Sequence, residues 1–543
     1  MDSSSIRKLY EFGTDITRND IFICLILFST CLLAGLSQMV PSVCGVFHDD
    51  GIYILTAKAL AKGEGYRLIN LPDNLFQTKY PPLYPILIAL IWTILPSFPK
   101  NTVVMQLVNI FLSAITISIC YLYFNKFKYF SNNIIVCSLL ICSTSPFFLY
   151  FTSLLSSEML FFFLYCLMLW YFDYLITQQS NATRFQYVIL GIVISLPFLC
   201  RTVGLIFIPI ALLLLLIHKR RLTWTLLGIL IAALPWLLCQ MSASLSAGYE
   251  PVRTYYTDYT GWWIRNGFKH IIDVSFINFI NISISMLSTS LWGVYKSLPY
   301  NLNPIFFLLG MIPFIDMILQ KQNNISLRYF LGGYLLLVCI WPWPSQRFLV
   351  PIMPFILCYF FNRIYLLLTK SELIAKIPIF SSMIIIFLIF NINSLLNVRQ
   401  IHSATRYPYL GTISTVSNYA HWSSFEKVFQ WLKVNSSKKD VIASNLDSML
   451  YLYTDRKSFR PFAVNPTSLF YGKDGPKVGT TTEFKECLNK YKPKYLVQMA
   501  MPGFAEEKPF NDLIELFRKE NPQCLKPVCI GDDRRFIIYR VQY

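Results

Sequence analysis

The sequence has few charged residues. Asp, Glu, Lys and Arg make up 14% of its 543 residues, whereas a typical soluble domain carries about 25%. Hydrophobic residues reach 55%, aromatic residues 16%, and the mean hydropathy is +0.49. The scarcity of charge excludes a disordered chain and an ordinary cytosolic enzyme. One globular core could not bury so much apolar surface, and the composition indicates a protein that crosses a membrane several times.

Metal-binding cysteine patterns and internal repeats are also missing. The chain has 14 cysteines, but no CxxC pair or Cys/His metal spacing occurs, and most of the cysteines lie inside apolar runs. No repeat of about 20–50 residues is visible. The net charge of +18 does not indicate nucleic-acid binding, because membrane proteins collect Lys and Arg on cytoplasmic loops.

Apolar runs long enough to cross a bilayer occur from residue 21 onwards. The first, Ile21 to Val40, is too long for the core of a signal peptide. The shorter run Leu83–Leu95 is bracketed by prolines, and it is predicted to re-enter the membrane or lie at its interface. Further runs lie at about 102–124, 131–150, 157–177, 186–200, 202–217, 222–241, 304–320, 328–342, 347–364 and 377–396. The sequence therefore predicts a polytopic α-helical membrane protein with about eleven transmembrane helices.

The distribution of Lys and Arg predicts the orientation of these spans. With residues 1–20 in the cytoplasm, the basic cluster Lys219-Arg220-Arg221 lies inside. The segment 41–101 and the loop 242–303 then lie outside. Because the number of predicted spans is odd, the tail 397–543 lies outside as well.

The tail 397–543 differs in composition from the membrane body 21–396. It holds 22 Lys and Arg and 14 Asp and Glu, against 25 and 15 in the 396 residues before it. Short β-like runs such as Phe536–Val541 alternate with amphipathic stretches such as Asn511–Phe517. This pattern predicts a small extracytoplasmic α/β domain at the C-terminus.

An acidic pair follows the first span, in Phe47-His48-Asp49-Asp50-Gly51-Ile52-Tyr53. Two adjacent carboxylates repel each other, and such a pair suits a general base, a metal ligand or a group that orients an acceptor. The alternative is a helix N-terminus, where Asp is favoured by the helix dipole. Asp49 and Asp50 are candidate catalytic residues, and His48 and Tyr53 are further candidates.

A lysine precedes the proline-rich start of the interfacial run, in Lys79-Tyr80-Pro81-Pro82. Lys79 could hold a phosphate at the membrane plane, with Tyr80 as a further candidate beside it. Lys and Tyr also serve as interface anchors, and this second interpretation stays open.

Three more ionisable residues lie at predicted outer ends of spans, namely Glu158, Arg201 and Arg347. Ionisable groups at this depth are costly and are usually paired or functional. They could pair with one another, or the arginines could bind a lipid phosphate, for which the guanidinium fork is well shaped.

The same order of motifs occurs in a known family. The motifs are Asp49-Asp50-Gly51-Ile52-Tyr53, Lys79-Tyr80-Pro81-Pro82-Leu83, Ser145-Pro146 leading to Glu158, Arg201-Thr202-Val203-Gly204, Arg347 to Pro354, Val441–Asn445 and Tyr451–Arg456. The chain resembles the GT-C glycosyltransferases that use polyprenyl-phosphate sugars. Within them it is similar to bacterial relatives of the protein O-mannosyltransferases and of the aminoarabinose transferase that acts on lipid A.

The resemblance implies an inverting sugar transfer on the extracytoplasmic face of the cell inner membrane. The donor is a polyprenyl-phosphate sugar, the acceptor is a hydroxyl or phosphate of a lipid, a glycan or a protein, and membrane lipids surround the enzyme. Lys79, Arg201 and Arg347 would bind the donor phosphate. Asp49 would activate the acceptor, with Asp50 and Glu158 in support. No metal or other cofactor is predicted, because the chemistry does not require one.

Two other classes of function compete with this interpretation. A transporter or lipid flippase would place ionisable groups near the middle of the membrane and would show paired repeats. A non-catalytic membrane scaffold would use its charged groups only for structure. The outward clustering of the carboxylates and the large external tail favour an enzyme.

Overall fold

The structure is a bundle of apolar helices that carries a small α/β domain at one end. The computed structural model describes residues 16–39, 44–178, 182–243, 252, 270–291, 300–319, 326–344, 346–370, 376–405, 422–500, 504–531 and 535–543. Residues 1–15 of the predicted cytoplasmic N-terminus and most of the predicted outer loop 242–303 lie outside the described residues.

In the described residues, fifteen α-helices come before the first helix of the tail domain, which begins at Trp422. They are α1 Arg18–Gln38, α2 Asp49–Ala61, α3 Leu83–Ile94, α4 Asn101–Phe127, α5 Asn132–Thr144, α6 Pro146–Ser153, α7 Glu158–Thr177, α8 Arg184–Cys200, α9 Phe207–Ile217, α10 Leu222–Ala243, α11 Ile271–Leu291, α12 Asn303–Leu319, α13 Ser326–Ile340, α14 Met353–Lys370 and α15 Lys376–Thr405. Short 3₁₀ turns at Thr202–Ile206 and Gln346–Ile352 lead into α9 and α14.

Within the described residues, seven helices are long and apolar enough to cross a membrane. The pair α5 and α6, bent by 58° at the break before Pro146, would make an eighth if it forms one span. Four predicted spans correspond to the shorter apolar helices α8, α9, α12 and α13, of 11–17 residues. The predicted class, a polytopic helical membrane protein, is confirmed, whereas the described residues contain fewer full-length spans than the predicted eleven.

The interpretation of residues 242–303 as a loop was wrong, because α11 lies within it. This helix meets the length and hydropathy requirements of a span, but its sequence is interrupted by Asn and Ser. These polar side chains are satisfied inside the protein. Asn278 donates to the backbone oxygens of Cys339 and Trp341 at 2.9 and 2.7 Å, and Ser283 donates to its own helix.

Buried hydroxyl and carboxyl groups join the helices at the end of the bundle that the sequence predicts to be cytoplasmic. Tyr123 and Tyr129 donate to Asp173 at 2.6 and 2.7 Å, and Ser326 donates to the same carboxylate. Arg220 donates to the backbone oxygen of Ile176 at 2.7 Å. Hydrogen bonds of this kind satisfy polar groups that no water reaches.

The tail is built on a five-stranded mixed sheet. Its elements are α16 Trp422–Asn435, β1 Ile442–Ser444, α17 Asp447–Thr454, β2 Ser458–Phe459, α18 Pro466–Tyr471, α19 Thr481–Tyr491, β3 Tyr495–Met499, α20 Glu507–Glu520, β4 Leu525–Ile530 and β5 Phe536–Val541. The strand order is β2-β1-β3-β5-β4, with β1 parallel to β2 and β3 and with β5 antiparallel to β3 and β4. This confirms the predicted small α/β unit.

The tail packs on the segment 44–101 through main-chain and side-chain bonds. Ser458 N donates to Asn70 O at 2.7 Å, and Lys58 pairs with Asp455 at 3.0 Å. On another side, Tyr471 donates to Asn278 in α11 at 2.9 Å. The tail therefore lies on the same face of the bundle as the segment 44–101.

We expect cysteines placed at Glu64 and Lys439 to react with a membrane-impermeant maleimide from the same side of the membrane. A cysteine at Lys219 should react only from the other side of the membrane, because it lies at the opposite end of the bundle. All three positions are exposed. The native protein gives the background labelling, and equal labelling of Lys219→Cys and Glu64→Cys in intact vesicles would contradict this topology.

Candidate active site

The predicted site residues come from separate elements that meet where the bundle adjoins the tail. Asp49 opens α2, and Glu158 opens α7. Arg201 follows the last residue of α8, and Arg347 lies in the 3₁₀ turn before α14. Carboxylates at the first turn of a helix are favoured by the partial positive charge of the exposed N–H groups.

Arg347 joins two of these carboxylates. Its Nη1 lies 2.6 Å from Asp49 Oδ2, and its Nε donates to Glu158 Oε1. Arg201 Nη1 lies 2.5 Å from the same Glu158 oxygen and 3.2 Å from Ser157 Oγ. Two guanidinium groups thus balance two carboxylates, which makes the burial of four charges tolerable.

Asp49 is the more exposed of the two carboxylates in this network. About a quarter of its side chain is exposed, whereas Glu158 is fully buried. Tyr80 Oη donates to Asp49 Oδ1 at 2.5 Å. Burial opposes ionisation of Asp49, but the charges of Arg347 and Lys79 and the Tyr80 hydrogen bond together hold its pKa below the usual range. Asp49 therefore carries its negative charge at neutral pH.

Asp50 has a different environment from its neighbour. Its carboxylate accepts hydrogen bonds from the backbone N–H groups of Gly45, Phe47 and Gly51, at 2.6, 3.0 and 2.9 Å. Burial raises the pKa of Asp50 to about 6, and the nearby charge of Asp49 adds to this. Both carboxylate oxygens of Asp50 therefore accept hydrogen bonds from the loop that precedes α2, and these bonds hold the loop in its conformation.

Lys79 brings a third cation close to Asp49. Its ammonium lies 5.5 Å from the centre of the Tyr80 ring and 5.8 Å from that of Trp343. The side chain is buried, and this burial lowers the pKa of Lys79 to about 8, although Asp49 acts in the opposite direction. Tyr53 packs against Tyr80, with 5.0 Å between the ring centres, and its hydroxyl lies 3.0 Å from Ser157 Oγ.

The tail contributes residues that sequence reasoning missed. Arg460 is 1% exposed and donates to the backbone oxygen of Asn445 at 2.8 Å. Burial lowers the pKa of His48, and the charge of Arg460 lowers it further. His48 Nε2 in turn lies 3.4 Å from Oδ1 of Asp447, which is fully buried. No local pattern in the tail sequence marks Arg460 or Asp447 as neighbours of the acidic pair.

Comparisons with known proteins find similarity to a family model and to two solved membrane enzymes. The family model described as dolichyl-phosphate-mannose-protein mannosyltransferase matches residues 79–241. Archaeal oligosaccharyltransferase AglB from Archaeoglobus fulgidus, solved with an inhibitory peptide and a dolichol-phosphate, is 12% identical, with a TM-score of 0.50 over 89% of this chain and 70% of that chain. ArnT from Cupriavidus metallidurans, solved with undecaprenyl phosphate, is 11% identical, with a TM-score of 0.51 over 96% of this chain and 97% of that chain. A search of curated proteins finds no match.

The chain thus shares its fold with these solved membrane proteins and matches the mannosyltransferase family model over residues 79–241. At 11–12% identity the solved structures establish the fold alone. The geometry of the chain itself brings Asp49, Lys79, Tyr80, Glu158, Arg201 and Arg347 into one neighbourhood, as the order of their motifs suggested.

In the part of the chain that the structure describes, no group of three or more His, Cys, Asp or Glu residues could hold a metal ion. The two carboxylates of the network contact guanidinium groups instead. In the described structure, therefore, arginine and lysine supply the positive charge around Asp49.

We expect Glu158→Gln to lower the thermal stability of the protein in detergent strongly. Removing one partner of a buried ion pair costs about 3–5 kcal/mol, because the other charge is left uncompensated, and Glu158 compensates two arginines. The matched control is Asp273→Asn, which removes a carboxylate from an exposed pair with Lys473. Exposed pairs contribute little, so equal unfolding midpoints for the two variants would contradict the proposed balance of charge.

Proposed function

We propose that the protein transfers a sugar from a polyprenyl-phosphate donor to an acceptor hydroxyl or phosphate, with inversion at the anomeric carbon. The observation that carries this proposal is the Arg347 bridge between Asp49 and Glu158 at the boundary of the membrane body. It combines an ionised, partly exposed carboxylate with cations at the depth where a lipid-linked phosphate lies. The acceptor is a lipid, a glycan or a protein.

The cations of the site are suited to the phosphate of the donor. Lys79 offers an ammonium beside Asp49, and Arg347 offers a guanidinium whose planar fork matches phosphate geometry. Arg201 supports Arg347 through the shared carboxylate of Glu158. Support for this class of donor comes from AglB and ArnT, which were solved with dolichol-phosphate and undecaprenyl phosphate respectively.

Asp49 is placed to act on the acceptor. As the acceptor oxygen bonds to the anomeric carbon, the bond from that carbon to the phosphate oxygen breaks, and its electron pair leaves with the phosphate. The proton of an acceptor hydroxyl passes to the Asp49 carboxylate. Because the pKa of Asp49 is below its usual range, the carboxylate is ionised before it accepts this proton, and its charge can stabilise the positive charge that develops on the sugar ring. Lys79 and Arg347 stabilise the leaving phosphate.

Glu158 and Asp50 support this reaction indirectly. Glu158 holds Arg201 and Arg347 in place and is fully buried. Asp50 fixes the loop before α2 through three backbone N–H groups. We therefore assign positioning roles to both, and the contact with the acceptor to Asp49.

The proposed orientation places this site on the outer face of the cell inner membrane. Residues 1–20 are cytoplasmic, residues 21–396 form the GT-C membrane domain, and residues 397–543 form a periplasmic domain. Support comes from the basic cluster 219–221 at the end of the bundle opposite the site, because short basic loops favour the cytoplasm.

Asp49→Asn should lower sugar transfer by about 10²–10⁴-fold while the protein still accumulates in the membrane, because the amide cannot accept the proton. The measurement is transfer from radiolabelled polyprenyl-phosphate sugars to membranes of cells that lack the gene. Asp512→Asn, which removes an exposed tail carboxylate, is the matched control. Full activity of Asp49→Asn would remove Asp49 from the reaction.

The pH dependence of donor capture should report Lys79. Its ammonium is present below its pKa of about 8, so kcat/KM for the donor should fall as the pH rises through that value. In Lys79→Arg the side chain stays charged, and the fall should move to higher pH. An identical pH profile for both proteins would show that another group titrates.

A further inference from the structure

We propose that Asp447 of the tail is a positioning residue for Asp49 and that it acts through His48. This inference rests on the proposed function, because it concerns how the acceptor-activating carboxylate is held. Asp447 itself contacts no reacting group. It belongs to α17. In the sequence, almost the whole membrane domain lies between the acidic pair and this helix.

The backbone at His48 is strained. Its φ and ψ are 63° and −54°, and Asp49 N donates to Phe47 O at 2.7 Å. A hydrogen bond between residues two apart, with these angles at the central residue, defines the rarer and strained form of the γ-turn. For a residue with a side chain such a conformation costs about 1–3 kcal/mol and persists only where the surroundings impose it.

The side chain of His48 faces a carboxylate of the tail. Its Nε2 lies 3.4 Å from Asp447 Oδ1, while Asp447 Oδ2 accepts a hydrogen bond from Asn70 Nδ2 at 2.8 Å. Asn70 Nδ2 also donates to Ser458 O at 3.2 Å. The Asp447 carboxylate is thus fixed from the side of segment 44–101 and faces the imidazole at the centre of the turn.

The backbone around the turn is packed closely against the same end of α17. A Cβ at Gly45, where φ is +86°, would lie 2.9 Å from Cβ of Met449, and a Cβ at Gly51 would lie 2.9 Å from Cβ of Ser448. Both glycines are therefore needed for the approach of the two helices. Asp50 binds the backbone of the same loop. The loop is therefore held by the Asp50 carboxylate and by its contacts with the first residues of α17.

The direction of the Asp49 carboxylate depends on this turn. Asp49 is the residue after the γ-turn centre, and its two oxygens must meet Arg347 and Tyr80 at the same time. Relaxation of His48 to an ordinary conformation would rotate the first residue of α2 and break this double contact. A displacement of about 1 Å in a reacting group can cost about a hundredfold in rate.

The test is a double-mutant cycle between Asp447 and His48. In Asp447→Asn one oxygen must serve both His48 and Asn70, so we expect kcat to fall about 10–100-fold with the donor KM changed less than about twofold, because the phosphate-binding cations are untouched. Glycine adopts positive φ without the steric penalty. His48→Gly should therefore retain more activity than Asp447→Asn, and adding Asp447→Asn to it should cost less than about threefold.

The matched control is Asp455→Asn. Asp455 follows the last residue of α17, and its carboxylate pairs with Lys58 of α2. This variant should change kcat less than about threefold, because Lys58 lies in the last turn of α2, at the end of that helix opposite Asp49. Asp447→Asn could lower kcat by the same factor in the native protein and in His48→Gly. That result would mean that Asp447 only stabilises the tail. A His48→Gly variant as inactive as Asp49→Asn would mean that the imidazole itself is required. Either result overturns the proposal.

Hydrogen exchange separates this inference from the proposed function. Amides of the segment 44–52 should exchange faster in Asp447→Asn than in the native protein and in Asp455→Asn, whether or not a sugar donor is turned over. Unchanged exchange in that segment would contradict the positioning role. Should Asp447→Asn fail to accumulate, the double variant with His48→Gly decides: restored accumulation and activity support the proposal, and the lack of both rejects it. Absence of transfer by the native protein would instead reject the proposed function.

Discussion

The bridge that Arg347 makes between Asp49 and Glu158 is the interaction on which the site depends. Charges buried at the edge of a membrane lose several kcal/mol of hydration each, and they persist only when they are paired in good geometry. Glu158 is fully buried and binds Arg201 as well. The first residues of α2 and α7 and the turn before α14 are therefore fixed relative to one another by a network of charges.

The two ends of the bundle use carboxylates in different ways. At the end away from the tail, Asp173 is surrounded by the hydroxyl groups of Tyr123, Tyr129 and Ser326, and Asp20 accepts from Tyr121 at 2.7 Å. Neutral donors of this kind join helices but offer no cation to an anionic ligand. Near the tail the partners are arginine and lysine, and one carboxylate remains partly exposed. The charged pairs are thus concentrated at the end of the bundle that adjoins the tail.

Much of this site could be predicted from the sequence because ionisable residues are scarce in the membrane body. Asp49, Glu158, Arg201 and Arg347 stood out against apolar surroundings, and the basic loops predicted that all four lie on the same side of the membrane. The pairing among them could not be predicted, since it depends on the packing of four separate elements. The separate use of Asp50 was equally hidden, because only the loop conformation shows that backbone N–H groups bind it.

Other features escaped the sequence for physical reasons. Helix α11 contains Asn278 and Ser283, which make its hydropathy uneven but are satisfied inside the bundle. Arg460 and Asp447 lie in a tail whose local pattern is that of an ordinary α/β unit. Their proximity to the acidic pair is a property of docking between distant parts of the chain, on which composition and periodicity carry no information.

The docking of the tail on segment 44–101 also has a consequence for how the chain is made. Asn70 bonds to a residue 377 positions later, and Cys44 contacts Tyr453 across 409 positions. Contacts of such long range form late, because the intervening chain must first be ordered. The loop that carries Asp49 is synthesised well before the tail residues that enclose it, since 377 positions separate Asn70 from Asp447. Assembly of the site therefore waits for synthesis of the tail, and chains that stop before residue 447 lack the contacts that the tail makes with the loop.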